Sequence, residues 1–383
     1  YRMFFSIVGS LIAFTVPLAF AFEMLWWRPP FDGEWTLAVY YALAYILYEA
    51  AATFIYMPYF ALTPELTMDY DERTSLTSYR MFFSIVGSLI AFTVPLAMVG
   101  KFTRANAPRI LLMGLTFGLV SAAGMLTTFF GTRERPENQE AEPPKLRDSL
   151  RAALKIRPFI FSMAIYLLTW MAVSLVEANL LYFVTYVLRR SDQSNLIMAT
   201  VFVVAMFALP LWEWASRNMN KRKAYIIGIA FWAVVQIVLV TLGPSTPVWV
   251  ILTLAALAGI GVSASHVIPW AIIPDAIEWD ELQTGERHEG MFYSLVVLAK
   301  KIATSIALPL ALLLLDATGY VPNAKEQVPS AVMGIRTLTG PIPAFFMCAG
   351  IVFAVLYPLT RERHAEVRHE LAQRKAAPAE KVA

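Results

Sequence analysis

Ionisable side chains stand inside stretches that are otherwise apolar: Glu49 in ALAYILYEAAATFIYMPY, Glu177 in WMAVSLVEANLLYFVTYV, His266 between SAS and VIPW, and the adjacent Lys300 and Lys301 in SLVVLAKKIATSIALPL. A carboxyl in such a place can hold a proton or a cation, and an ammonium can pair with it. Each charge costs at least about 2.5 to 3.5 kcal/mol in lipid, so each asks for a partner or a watery cavity. Tyr56 follows Glu49 by two turns on roughly the same helical face. Lys300 and Lys301 point about 100° apart on a helix, so if one faces a cavity the other lies toward the flank or snorkels to the headgroups. The bland alternatives stay open: a hydrogen-bonded structural Glu49, and a Glu177 that pairs with Lys301 or Asn179. No glycine-rich phosphate loop, no His/Cys metal spacing and no G-x-S-x-G occurs, and His266, His288, His364 and His369 form no ligand set, so the chain does not read as an enzyme or a metal protein.

The elements that must position these residues are membrane helices. Of 383 residues, 58% are apolar and 15% charged, with a mean hydropathy of +0.58. An ordinary soluble domain carries about 25% charged residues. Apolar runs near 4–27, 36–59, 79–100, 108–131, 157–188, 195–216, 224–242, 248–272, 291–315 and 336–358 predict ten crossings, each needing about 20 residues. Trp26, Trp35, Trp212, Trp270 and Tyr357 mark span ends as interfacial rings. Lys and Arg concentrate on the segments that include both ends of the chain, which predicts both termini on the cytoplasmic side of a cell (inner) membrane. The net charge of +3 gives no argument for nucleic acid, and the single cysteine, Cys348, excludes a disulfide framework.

The charged, Pro-rich stretch 132–156 divides the chain into an N-terminal bundle, 1–131, and a C-terminal bundle of six helices, 157–358, followed by a charged tail, 359–383, expected to be a solvated helix. Two repeats occur, one within the first bundle and one between the two. Tyr1–Ala19 recurs letter for letter at Tyr79–Ala97, which reads as a recent duplication or an assembly error rather than a functional repeat. A fainter one relates MPYFALTPELTMDYDERTSLTSYRMFFS, from Met57, to IPWAIIPDAIEWDELQTGERHEGMFYS, from Ile268, at an offset of about 210 residues. By that offset the first bundle is shorter than the second by roughly two crossings.

The motifs PYFALTPELTMDYDERTSLTSYR, NKRKAY (Asn220–Tyr225), PDAIEWDELQTGERHEGMFYS and GYVPN (Gly319–Asn323) together resemble the glycoside-pentoside-hexuronide:cation symporters, the melibiose-permease-like branch of the major facilitator superfamily. The resemblance covers about residues 20 to 360 and corresponds to helices three to twelve of a twelve-helix pattern, with a copy of helix five standing where helix three should begin. It implies an all-α membrane protein of the major facilitator fold, two bundles around a cavity open alternately to each side, carrying a solute together with Na+ or H+.

The same resemblance suggests roles. Lys301 falls where such symporters carry a Lys near the cation site. Tyr56 stands where they place a cation-binding Asp, which leaves Glu49 as the first-bundle candidate for cation coupling. No motif of the family asks for an acid at Glu177; its burial in an apolar run makes it a proton-relay candidate. Phe60 and His266 fall where sugar-stacking Trp residues stand, and Arg80 resembles an Arg that reaches substrate hydroxyls or else anchors at the cytoplasmic face. Asp71, Glu72 and Arg73, with Asp275, Asp280 and Arg287, form acidic and basic clusters at corresponding bundle ends that could gate by pairing, or could be solvated loop ends. The expected partners are a small-molecule substrate, a coupling cation and the bilayer, with no other cofactor, no nucleic acid and a monomeric chain. The changed stacking positions leave one rival, a lysophospholipid-like amphiphile carrier of the same fold, and the shorter first bundle leaves another, a non-transporting truncated membrane protein.

Overall fold

The computed structural model describes residues 7–66, 70–100, 102–132, 155–285, 289–322, 324–359 and 361–376, all helix and connection with no strand among them. They fall into two compact units, 1–143 and 144–383.

In the first unit, α1 (Ile7–Trp26) ends just before Pro29 and Pro30, which cannot continue a helix. After this connection α2 (Glu34–Leu66) opens on an acid that suits a helix N-terminus. The Tyr40 and Tyr41 hydroxyls donate to the carbonyls of Met24 (2.9 Å) and Trp27 (3.3 Å), tying the start of α2 to the end of α1. Asp32 accepts from both Arg28 and Arg104, so one carboxylate joins two connections at that end. α3 (Tyr70–Val99) and α4 (Ala107–Gly131) follow. α1 packs between α2 and α4, and α3 touches its neighbours far less. The core here is small: buried Ile55 and Leu62, with Phe14, Leu18, Tyr59 and Met125 against them.

The second unit is denser. α5 (Arg157–Tyr182) ends in a π-helical turn, Phe183–Val187, and is followed by α6 (Ser194–Met219), α7 (Lys221–Val240), α8 (Val248–Thr284) and α9 (Glu289–Ala317). The last crossing is broken into α10 (Pro329–Thr339) and α11 (Pro341–Val355), and α12 (Arg361–Ala376) closes the described chain. Helices in lipid gain little from excluding water, so close approach at small residues does the work. At Gly259 a Cβ would lie 2.5 Å from the Val201 carbonyl, so α8 meets the backbone of α6 directly. At Gly340, the break, a Cβ would overlap the Val240 side chain. Buried polar groups are tied across helices: Thr169 to Tyr225 (2.7 Å), Trp212 Nε1 to the Ile260 carbonyl (2.7 Å), and Asn179 Nδ2 to the Ile335 carbonyl (2.8 Å) and Thr339 Oγ1 (2.6 Å).

Nine stretches among the described residues are long and apolar enough to span a bilayer, and the apolar part of α1, Ile12–Trp26, is a shorter tenth; together they occupy the ten expected crossings. The boundaries differ where charge was read as a loop. The stretch 60–80 is mostly helix, shared by the end of α2 and the start of α3, because charged residues solvate a helix extension as readily as a loop. The last crossing starts at Pro329 rather than 336: Arg336 lies inside it, its guanidinium donating to the Val240 carbonyl at the end of α7. The charged tail is not fully solvated. α12 buries Val367 and Leu371 and packs along α8.

Candidate substrate and coupling site

Tyr166, Trp170, Ser174 and Glu177 recur at spacings of four, four and three on α5, which sets them along one helical face. Opposite stand Lys300 and Thr304, one turn apart on α9, and His266 and Trp270, one turn apart on α8. The contacts are specific. The Lys300 ammonium lies over the Trp170 ring, 4.0 Å from its centre, in a cation–π contact. The His266 ring meets the same indole edge-on at 5.2 Å. Trp270 meets Tyr166 edge-on at 5.3 Å and stacks toward Tyr293 at 6.4 Å. Ser174 and Thr304 approach to 3.4 Å. The Lys300 charge acts on both Glu177 and His266, so acid, base and imidazole share one field. His266 Nδ1 lies 2.9 Å from the Val262 carbonyl; as that carbonyl can only accept, Nδ1 carries a hydrogen and Nε2 is left for other partners.

The structure therefore gathers two of the sequence candidates, Glu177 and His266, brings Lys300 to them where Lys301 was expected, and adds Trp170, which the sequence reading passed over. Its signal was available: an indole seven residues before Glu177 falls on the same helical face. Lys300 makes the contact with Trp170, and Lys301, half-buried, points about 100° away on α9. Asn179 is no partner for Glu177, since its amide is committed to α10.

In the first unit, half-buried Glu49 is hydrogen-bonded to the Tyr45 hydroxyl one turn earlier and acts electrostatically on Tyr48 and Tyr56. Tyr56, exposed, borders a cavity of about 110 Å³ lined by Thr15, Phe22, Tyr48, Ser121 and Met125 among others. Arg80 is half-buried on α3. Phe60 lies in α2 and Asp71, Glu72 and Arg73 in the first turn of α3, but their side chains fall outside the described set; Arg287 lies outside the described residues altogether.

Asp275, expected at a gate, is engaged within its own unit. It is buried, 2.5 Å from Lys221 Nζ at the start of α7 and 3.5 Å from His364 Nε2 on α12. His364 also meets Glu278 at 2.7 Å, and Arg363 lies over Trp279 at 5.5 Å, so α12 is pinned to the last turns of α8. Burial first, and then the Asp275 carboxylate, push the Tyr357 phenol well above its ordinary range, keeping it protonated beside this cluster. Asp280 is buried one turn further along α8. No group of three metal-ligating side chains occurs among the described residues.

Comparison with known proteins agrees with a transporter. The chain is 30% identical to an uncharacterized symporter of Synechocystis, over 94% of this chain and 82% of that protein. It is 29% identical to the sodium-dependent lysophosphatidylcholine symporter 1 of Homo sapiens (94% and 72%), and 24% identical to the sphingosine-1-phosphate transporter MFSD2B of Xenopus tropicalis (93% and 75%). Among solved structures, the fucose:proton symporter of E. coli superposes with a TM-score of 0.60 at 14% identity, over 92% of this chain and 84% of that one, which shows the major facilitator fold. The sequence pattern described as MFS/sugar transport protein matches residues 9–361. With a match over nearly its whole length, the chain belongs to the MFS/sugar transport protein family, multi-pass membrane transporters that include symporters.

Proposed function

We propose that this protein is a cation-coupled symporter of a lysophospholipid-like amphiphile. The observation that carries the transport reading is the exposed pair Glu177 and Lys300, set on apolar spanning helices around Trp170 and His266. Exposed charges at that depth are unfavourable against lipid and belong against a water-filled path. Glu49 and Glu177 are the acids that take the coupling Na+ or H+, and the aromatic file of α5 and α8 binds the solute. Alternating access then presents that file to one side of a cell membrane and the other, with both ends of the chain cytoplasmic. The amphiphile reading draws on the lysophosphatidylcholine and sphingosine-1-phosphate relatives. A second reading, symport of a sugar or glycoside, is favoured by Trp170: it supplies, from α5, an indole beside His266, the position where a sugar-stacking ring was expected.

The test is counterflow in proteoliposomes containing the purified chain. Labelled lysophosphatidylcholine is expected to exchange, with a Na+ or pH gradient driving accumulation and glycosides failing to compete. Competition by glycosides instead selects the sugar reading. Absence of counterflow for every solute, at normal folding, selects a non-transporting protein.

A further inference from the structure

We infer that Glu23 and the rings around Trp26 form a site for a methylated ammonium group, at the end of the first unit where α1 stops before Pro29 and Pro30. The transport reading assigns no role to Glu23 or Trp26, and the site goes beyond that reading. Glu23 is half-buried three residues before the end of α1, within the apolar stretch Ile12–Trp26, and its Oε1 is buried without a hydrogen-bond partner among the described residues. No charged side chain among them acts on it. Arg28 and Arg104, at the same end of the unit, are both taken by Asp32. An acid so placed still lacks its counter-charge. One turn on, the Trp26 indole has Phe22 at 6.0 Å and Phe102 at 6.4 Å, and its Nε1 is likewise buried without a partner. Bare backbone on α4 makes room for both groups. A Cβ on Gly114 would stand 3.0 Å from Glu23 Oε2 and 2.9 Å from Trp26 Cβ. One turn from these positions, Ala19 on α1 and Gly118 on α4 line the apolar cavity of about 110 Å³. Buried polar groups are normally satisfied, and an open acceptor beside an open donor marks a place filled from outside.

The surroundings decide which cation fits. A metal ion asks for several oxygen ligands, and no group of three metal-ligating side chains occurs among the described residues. A primary ammonium brings three N–H donors, which one carboxylate does not satisfy. A methylated ammonium has none to satisfy. It is held by a negative charge and by ring faces, which Glu23 supplies together with Phe22, Trp26 and Phe102. The open Trp26 N–H then meets an oxygen of the same ligand, such as the hydroxyl of choline or its phosphate ester, and the adjoining cavity takes an apolar stem. Free choline and the headgroup of a lysophosphatidylcholine share this chemistry.

The experiment measures equilibrium binding of labelled choline to the purified full chain in a maltoside detergent, with unlabelled competitors. Tetramethylammonium is expected to compete, and 3,3-dimethylbutan-1-ol, the neutral isostere of choline, to compete at least tenfold more weakly. Lysophosphatidylcholine competing better than choline identifies a lipid headgroup as the source, and weaker competition identifies the free cation; either supports the site. Glu23→Gln keeps the shape, removes the charge and should weaken choline about tenfold, the scale of one charge-assisted contact. Trp26→Leu should weaken it severalfold through loss of the ring. Glu34→Gln, which removes an exposed acid at the start of α2, should leave it unchanged. Thermal unfolding of each variant separates binding from folding, and the choline and isostere pair tests the site in the unaltered chain. No binding of choline, equal competition by the isostere, or equal affinity in Glu23→Gln overturns the site. Choline binding with the expected charge dependence but no counterflow of any solute overturns only the transport reading, and counterflow without choline binding overturns only the site.

Discussion

The two copies of one sequence, Tyr1–Ala19 and Tyr79–Ala97, end up in different surroundings. In α1, Thr15 is 3% exposed, Gly9 is buried, and the ring of Phe14 stacks on Phe54 at 4.3 Å, because α2 and α4 flank the helix. In α3 the matching threonine, Thr93, is half-buried, and Gly87 is exposed with open space where a Cβ would be. Both copies are helical over their described residues, each with a proline inside, Pro17 and Pro95. The contrast extends to the two units. The spanning stretches of the first bury at most 22% of their most apolar window, those of the second at least 39%. Identical residues thus make the same helix, and neighbours decide what that helix contributes. In lipid an exposed apolar face carries no penalty, so a loosely packed bundle and a tight one are both permitted.

The comparison can be broken experimentally. The largest effect is expected at Trp232, fully buried in the second unit: Trp232→Ala should cost about 3 to 5 kcal/mol, read as a fall in unfolding temperature in detergent. Equal tolerance there and at an exposed first-unit ring such as Phe54 would erase the contrast in packing. Next come matched glycines. Gly259→Val pushes a side chain onto the Val201 backbone and should destabilise by about 1 to 3 kcal/mol, whereas Gly87→Val on α3 should be near neutral. A large loss at Gly87 would reveal a partner for α3 that the described contacts lack.

A third test asks which unit carries coupling. In proteoliposomes, Glu49→Gln should change the Na+ or pH dependence of uptake, and Glu177→Gln should cut uptake about tenfold at saturating cation, the scale of one lost charge-assisted contact. If Glu177→Gln alone alters the ion dependence, coupling belongs to the second unit. The smallest effect is expected at the α12 attachment. Lys221→Ala leaves Asp275 beside His364 and should loosen α12, seen as faster hydrogen exchange over residues 361–376. Unchanged exchange there would show that Val367 and Leu371 hold the helix by themselves.

Much of the fold could be read from residues alone, since a run of about twenty uncharged residues in lipid has almost no choice but helix. Charge does not mark a loop at Arg336, whose guanidinium finds a carbonyl on α7, or in the tail, where Val367 and Leu371 are buried. The candidate site was half visible. Glu177, His266 and the lysine pair stand out by their cost in an apolar run, but Trp170 is unremarkable in sequence until Lys300 and His266 are placed around it. The resemblance pointed to Lys301, whereas Lys300 meets Trp170, because adjacent positions on a helix differ only by rotation, and rotation is set by packing.

By itself, then, the sequence determined that this chain crosses a membrane many times, where its helices run, and which charges must be accounted for, because hydropathy and charge act locally and at a large energetic scale. Only the tertiary structure decided which face of each helix is used: that Lys300 meets Trp170, that Asn179 and Asp275 are committed to α10 and α7, and that one copy of a repeated helix packs between two neighbours while the other barely touches its own. Those outcomes depend on contacts between residues far apart in the chain, and no local pattern encodes them.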